Sequence, residues 1–276
     1  MTDLRLTLKH TPPQMVDVSA LTPDLLAGKS REDIRRIELP SGNRRLRVAD
    51  LFDVSGEDAQ SSLTIRAGTD KLACVGARMQ SGSIAVEGDC GPYVGVGMRG
   101  GKILVHGAAG AFVGCGMRGG AIEVRGDAGD FVGGALPGDK QGMRGGSVVI
   151  GGSAGDRVGD RMRRGMILIA GDAGAYCGSR MLAGTIVVSG RVGQSPGFAL
   201  KRGTLLLAHP PAEIPATFQD AGEHELLFLA LLARHFEREG GPFKTFLPLS
   251  NRVRRYCGDL ATGGNGEMLL GVSSST

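Results

Sequence analysis

Few side chains in this sequence stand at spacings that could do chemistry, and the clearest set is cationic. Arg99, Arg118, Arg144 and Arg163 hold one position of a repeating unit, and Lys201 holds it again after Leu182. A guanidinium recognises carboxylates and phosphates through a planar fork of N–H donors, so this column points to an anionic partner surface. Neighbouring unit charges about 5 Å apart repel by roughly 0.8 kcal/mol in water. The competing reading is therefore a solvated edge whose arginines pair with Asp89, Asp127 and Asp172 at adjacent corners.

Catalytic and metal-binding patterns are weaker. His106 occupies a position that varies between repeats (Glu87, Arg125, Gly151, Ala170, Ser189), which reads as surface. His209, His224 and His235 have no partners at ligand spacing. The cysteines Cys74, Cys90, Cys115, Cys177 and Cys257 form no CxxC pair, and those within the regular repeats sit at different positions. That spacing argues against a metal site or a disulfide framework. A GxxGxxxG string invites a phosphate-loop reading, yet it recurs six times and no GxxxxGK[ST] follows, so it reads as architecture.

The elements that position these residues come from a repeat of nineteen residues. Ser83, Lys102, Ala121, Ser147, Met166 and Thr185 open successive blocks. Residues 62–82 form a looser copy, and a degenerate eighth begins at Thr204. A fixed period of this size marks a solenoid. Two apolar columns lie two residues apart: Ile84, Ile103, Ile122, Val148, Ile167 and Ile186, then Val86, Val105, Val124, Ile150, Ile169 and Val188. They describe a short strand with one buried face. A third column runs Met98, Met117, Met143, Met162, Met181 and Leu200, and a fourth runs Val94, Val113, Val132, Val158 and Cys177 before Pro196 breaks it.

Glycines separate these columns. Gly88, Gly107 and Gly126 begin one set, Gly91, Gly110 and Gly129 a second, and Gly95, Gly114 and Gly133 a third. They are expected to be structural turn residues taking the same positive φ at each corner. The chain holds 47 Gly in 276 residues. That excess without a Gly-X-Y triplet excludes collagen, and it excludes helical repeats, in which each interior glycine costs roughly 1 kcal/mol.

The expected fold is all-β: a right-handed parallel β-helix of about seven 19-residue coils, with an N-terminal cap and a C-terminal helix plus extended tail. Right-handedness is favoured because no hexad repeat is present. Residues 1–61 are read as the cap, with a strand over Leu4–Leu8, a Ser30–Asp33 capping box and a turn at Ser41–Asn43. Residues 62–205 are the solenoid, interrupted by an outward loop at Gly134–Gln141. Residues 206–276 supply a helix over Glu223–Glu239, for capping or docking, and a tail expected to be ordered by another chain. The net charge of +4 gives no reason to expect nucleic acid or a membrane surface as partner. The odd cysteine number and the polar N-terminus lead us to expect a cytoplasmic chain.

The GxxGxxxG strings followed by GMRGG at 97–101, 116–120 and 142–146 resemble the C-subunit family of formylmethanofuran dehydrogenase. They are more distantly similar to the C-terminal domain of the glutamate synthase large subunit. LLAGKS at 25–30 and DLFDVSG at 50–56 extend the resemblance, so that it covers about residues 20–205, and the insertion also fits. RRYCGDLATGGNGEML at 254–269 looks more like the bacterial formyltransferase/hydrolase complex of methylotrophs. The resemblance implies a non-catalytic scaffold subunit with no cofactor of its own. The implied complex uses methanofuran-type and tetrahydromethanopterin carriers. Its zinc sits on another subunit, and its three other subunits are amidohydrolase-like, formyltransferase and molybdopterin-oxidoreductase-derived. The C subunit of a molybdenum or tungsten formylmethanofuran dehydrogenase is the alternative. A stand-alone β-helix enzyme fits less well, because neither an aromatic-lined groove nor hexads with a site histidine can be read.

Overall fold

The computed structural model describes residues 4–56, 61–239 and 252–271. Strand β1 (Leu4–Leu8) buries Leu4 and Leu6, as the alternation predicts. After β2 (Val16–Asp17) comes α1 (Pro23–Leu26), with proline in its first turn. Helix α2 (Arg31–Arg36) starts on the predicted capping box: the Asp33 amide donates to Ser30 Oγ at 3.2 Å, and the Ser30 amide to Asp33 Oδ2 at 3.3 Å. A hairpin of β3 (Glu38–Ser41) and β4 (Arg44–Arg47) turns at Gly42-Asn43. Helix α3 (Val48–Leu51) then leads into β5 (Phe52–Ser55).

The repeat region contributes β6 (Ser62–Arg66), β7 (Leu72–Ala73), β8 (Ser83–Glu87), β9 (Lys102–Val105), β10 (Ala121–Val124), β11 (Arg144–Ile150), β12 (Arg164–Ile169), β13 (Thr185–Val188) and β14 (Arg202–Leu207). Apart from β7, which pairs with β2, these strands run parallel, each against the same position of the next block, with one register shift between Arg144 and Ser147 where β11 meets β12. Ile84 faces Ile103, which faces Ile122, then Val148, Ile167, Ile186 and Leu205. A second line of parallel bridges links Cys90, Ala109, Ala128, Ala154, Ala173 and Val192. A third line of amide bonds includes Gly114 N–H to Val94 O at 2.8 Å. The four apolar columns read from the sequence are at most 1% exposed, and Pro196 is buried where it interrupts the fourth.

The glycine columns divide by cause. Gly95 sits at φ +62°, and the third column keeps this left-handed geometry in every block. In the first two columns Gly88 alone has a positive φ, which corrects the expectation for the rest. Their glycines answer close approach of backbone: a Cβ at Gly110 would stand 2.6 Å from the amide nitrogen of Pro92 in the preceding coil, whereas in the third column a Cβ at Gly114 would meet an interior side chain, Val148 Cγ2, at 2.8 Å. Adjacent strands lie about 4.8 Å apart, and at the corners of the first two columns the backbones come too close for a side chain.

The C-terminal region departs from expectation twice. Residues Gln219–Glu225 form β15 rather than the start of a helix, and α4 begins at Leu227 and runs to Glu239. Cross-strand pairing explains the difference: Arg254 Nε donates to Asp220 Oδ2 at 2.9 Å and holds that carboxyl below its usual range, and Arg252 pairs with Glu223. The described part of the tail pairs with strands of its own chain. β16 (Arg252–Gly258) and β17 (Asn265–Gly271) insert into the sheet, β17 lying parallel to β14 and burying Met268 and Leu269. The helix covers a flank of the sheet, where Leu229 packs on Leu168, Val187 and Leu206.

The result is an all-β chain built on one mixed sheet of thirteen strands, in the order β15-β16-β17-β14-β13-β12-β11-β10-β9-β8-β6-β1-β5. No helix among the described residues is long and apolar enough to cross a membrane.

Candidate functional site

The cationic column is set by the coil-to-coil ladder. The amides of Arg118, Arg144 and Arg163 donate to Met98 O, Met117 O and Met143 O at 2.7, 2.7 and 2.8 Å. Arg99, Arg118, Arg163 and Lys201 are exposed, and Arg144 is half-buried. None of the five makes an ion pair among the described residues. Asp89, Asp127 and Asp172 do not neutralise them. Each aspartate instead accepts a backbone amide of the following coil, from Ala108, Ser153 and Arg191 at 2.8, 2.7 and 2.7 Å.

Part of the column borders a cleft of about 430 Å³. Arg78, Arg99, Arg118, Arg144 and Tyr93 line it. Gly97 and Gly116 contribute to its lining, and Leu136 and Asp139 come from the insertion. The insertion is tied down by the next coil. Ala135 N–H donates to Asp160 O at 3.1 Å, and Arg161 Nη1 donates to Asp139 O at 2.8 Å. Asp160, 2% exposed, is itself held by Arg180 (Nε to Oδ1, 2.9 Å) and by Ser179 (Oγ to Oδ1, 2.6 Å). The Nε of Arg144 is buried without a hydrogen-bond partner.

Two thiols line the cleft, and neither is suited to attack. Burial, followed by the charge of Asp17, pushes Cys74 up to about 11. Burial raises Cys115 further, and its Sγ lies 3.0 Å from Phe131 O. A neutral thiol is a poor nucleophile. The histidines fall apart: His106 Nδ1 lies 3.3 Å from Arg125 Nη1, His224 Nε2 lies 3.0 Å from Ala221 O, and His209 is exposed. The side chain of His235 is outside the described set. No group of three His, Cys, Asp or Glu among the described residues is placed to hold a metal ion.

One surface feature escaped the sequence reading. Tyr93, Phe112 and Phe131 stack with ring centroids 5.0 Å apart at each step. The Arg157 guanidinium lies 6.0 Å from the Phe131 ring and 4.7 Å from the Tyr176 ring, continuing the ladder. The signal was present: four of the chain's twelve aromatic residues share one repeat position. It was obscured because that position also holds Arg157 and Ser195. All six sit at positive φ, between 54° and 68°.

No family model matches the chain. Its fold and full length correspond to a chain in the crystal structure of the formyltransferase/hydrolase complex FhcABCD from Methylorubrum extorquens with methylofuran. The two chains are 41% identical with a TM-score of 0.90, over 98% of this chain and 100% of that one. Among curated proteins, the C subunit of the Fhc formyltransferase/hydrolase complex of M. extorquens is 44% identical over 86 residues, 31% of this chain and 32% of that protein. The C subunit of tungsten-containing formylmethanofuran dehydrogenase 2 of Methanothermobacter thermautotrophicus is 38% identical over 98 residues, 34% of this chain and 36% of that protein. These curated matches span about a third of the relatives' length. The stacked all-β architecture is thus shared with a chain of a multi-subunit complex. The chain belongs to the family that holds the C subunits of the formyltransferase/hydrolase complex and of the formylmethanofuran dehydrogenases.

Proposed function

We propose that this chain is a non-catalytic scaffold subunit of a formyltransferase/hydrolase complex. In that complex a formyl group passes from formyl-tetrahydromethanopterin to a methanofuran analogue, and formate is released. The observation that carries the proposal is the full-length match, at TM-score 0.90, to a chain of FhcABCD. Formyl transfer and zinc-dependent hydrolysis fall to partner subunits of formyltransferase and amidohydrolase-like type. A molybdopterin-oxidoreductase-derived chain completes the assembly in the cytoplasm.

The parallel ladders at three positions of each block support reading residues 62–205 as a parallel β-helix; we take it as right-handed, between an N-terminal cap (1–61) and a docking region (206–276). A rigid solenoid of this kind suits a scaffold, since its surface is fixed coil by coil. The unpaired cations of the Arg99–Lys201 column support an anionic partner surface, with Arg163 and Lys201 outside the cleft as the sharpest positions.

Native mass spectrometry of the tagged chain from its own host, at low salt, tests the assignment. Co-purification with an amidohydrolase-like subunit, a formyltransferase and a third related chain is expected. A lone homo-oligomer would overturn it. The dehydrogenase reading is favoured by the 38% identity to a tungsten-enzyme subunit, and it predicts a partner carrying a metal–pterin group and iron–sulfur clusters.

A further inference from the structure

We propose that the arginine-lined cleft is a binding site for a compact organic anion with at least two negative charges, such as a di- or tricarboxylate or a phosphate ester. The inference goes beyond the scaffold reading and does not rest on it.

The first observation is that the cleft is built by leaving side chains out. Six coils place a residue at the repeat position of Gly97 and Gly116 in the same left-handed backbone. Arg78, Arg161, Arg180 and Ala199 adopt φ of 59°, 54°, 55° and 55° there, against 65° and 64° for the two glycines. The backbone at this position therefore accepts arginine or alanine and does not require glycine. A Cβ at Gly116 would meet nothing within 4 Å, and one at Gly97 would meet only Arg78 Cγ, at 3.5 Å. The glycines open a gap two coils high, about 10 Å, in a row of side chains. Arg78 of the preceding coil lines the gap, and the anchored insertion adds Leu136 and Asp139.

The second observation is charge. Four arginines against one aspartate leave an excess of three positive charges in the lining. Arg78, Arg99, Arg118 and Arg144 have no ion pair or side-chain hydrogen bond among the described residues. Arg144 lines the cleft as well, and its Nε is buried without a hydrogen-bond partner. A single negative charge would leave most of the excess in place, so the ligand carries two or more. Guanidinium forks favour carboxylate and phosphate oxygens. Tyr93, Val96 and Leu136 provide apolar wall, which suits a ligand with a carbon skeleton between its charges. The volume lies in the range of small-molecule sites.

Isothermal titration calorimetry tests the site on the full chain, or on its complex as purified, at physiological ionic strength. The probes are propane-1,2,3-tricarboxylate and 3-phosphoglycerate. At least one is expected to bind saturably, one per chain, with Kd tighter than about 1 mM. Arg118→Gln is expected to weaken binding at least about tenfold. Gly116→Arg fills the gap while adding a positive charge, and is expected to abolish binding. Lys201→Gln, outside the cleft, is expected to leave it unchanged. Retained affinity in Gly116→Arg would reduce the site to diffuse positive potential and overturn the proposal. So would unchanged affinity in Arg118→Gln. Failure of both probes with the wild-type chain overturns it too. If Arg118→Gln then also dissociates the complex, these arginines belong to an interface with a partner chain. Thermal melts accompany each variant, and should Gly116→Arg fail to fold, the surface change Arg118→Gln decides alone. Assembly, read separately by native mass spectrometry, keeps this test apart from that of the scaffold reading.

Discussion

Asp89 accepts the backbone N–H of Ala108 at 2.8 Å, and its carboxylate occupies the space that a Cβ at Gly107 would need. The relationship recurs along the stack. Asp127 takes the amide of Ser153 over Gly152, and Asp156 takes that of Ala175 over Gly174. Each coil's acid thus covers the next coil's glycine and satisfies an amide that leaves the strand ladder. Gly107→Ala is expected to destabilise the chain by about 1–3 kcal/mol through overpacking. Asp89→Ala removes one charge-assisted bond and is expected to cost about 1–2 kcal/mol. Denaturant titration measures both, and a neutral Gly107→Ala would show that the coils can part without cost.

The same pairing shows what the sequence made legible. The columns Ile84–Ile186 and Met98–Leu200 gave the interior, because one-sided burial imposes a strict apolar pattern that survives in a single sequence. Gly107 and Gly95 looked alike as letters, yet a Cβ at Gly107 would meet the backbone and aspartate of the preceding coil, whereas one at Gly95 would meet the interior side chains of Ile122 and Ile103 at a left-handed φ. A string of letters records that a side chain is missing and not which constraint removed it. The cleft was half legible. Arg99, Arg118 and Arg144 were found by period, whereas Arg78, Tyr93 and the anchored Asp139 come from a looser coil, another column and an insertion. The strand Gln219–Glu225 was misread because its Asp220 and Glu223 are fixed by arginines more than thirty residues away or nearly so in the chain.

The buried thiols predict an alkaline limb to stability. Burial pushes Cys177 up to about 12, and burial together with the charge of Asp89 does the same for Cys90, from an ordinary value near 9. Raised folded-state values favour the folded chain fully below pH 9 only in the sense of the neutral thiol: the unfolded chain releases its protons first as pH climbs from 9 toward 12, and folded stability falls across that window. Stability measured by denaturant between pH 8 and 11 is expected to fall, and the fall should lessen in Cys177→Ala relative to its own value at pH 8. At pH 8, iodoacetamide is expected to leave Cys90 and Cys177 unmodified in the folded chain and to alkylate both after unfolding. Mass spectrometry reads the outcome, and rapid native labelling would contradict the burial of these thiols.

Among the described side chains of helix α4, Leu229 is the one buried on the sheet. Leu229 is 1% exposed against Leu168, Val187 and Leu206, whereas Leu227 and Leu231 are 75% and 66% exposed. Leu229→Ala is expected to cost about 2–5 kcal/mol at this contact. The loss should appear as faster amide exchange in α4 and on the outer face of β13 and β14. Leu231→Ala should change folding stability by less than about 0.5 kcal/mol. Equal effects of the two changes would mean that the helix does not dock by the Leu229 face.

Charge reversal separates assembly from folding. Arg163 and Lys201 belong to the cationic column, are exposed, lack ion pairs among the described residues and lie outside the cleft. The double change Arg163→Glu with Lys201→Glu therefore alters an outward surface without filling the cleft or touching the interior. If an acidic partner surface covers this edge, affinity for the other subunits should fall at least about tenfold, and more at low salt, where unscreened like charges repel over a longer distance. The melting temperature of the isolated chain should move little, because exposed substitutions away from packing rarely exceed about 0.5 kcal/mol. Co-purification at two ionic strengths, beside a thermal melt, reads both arms. Intact assembly at low salt would show that this edge faces solvent, and the partner surface would then have to be sought elsewhere, first where α4 leaves Leu227 and Leu231 exposed.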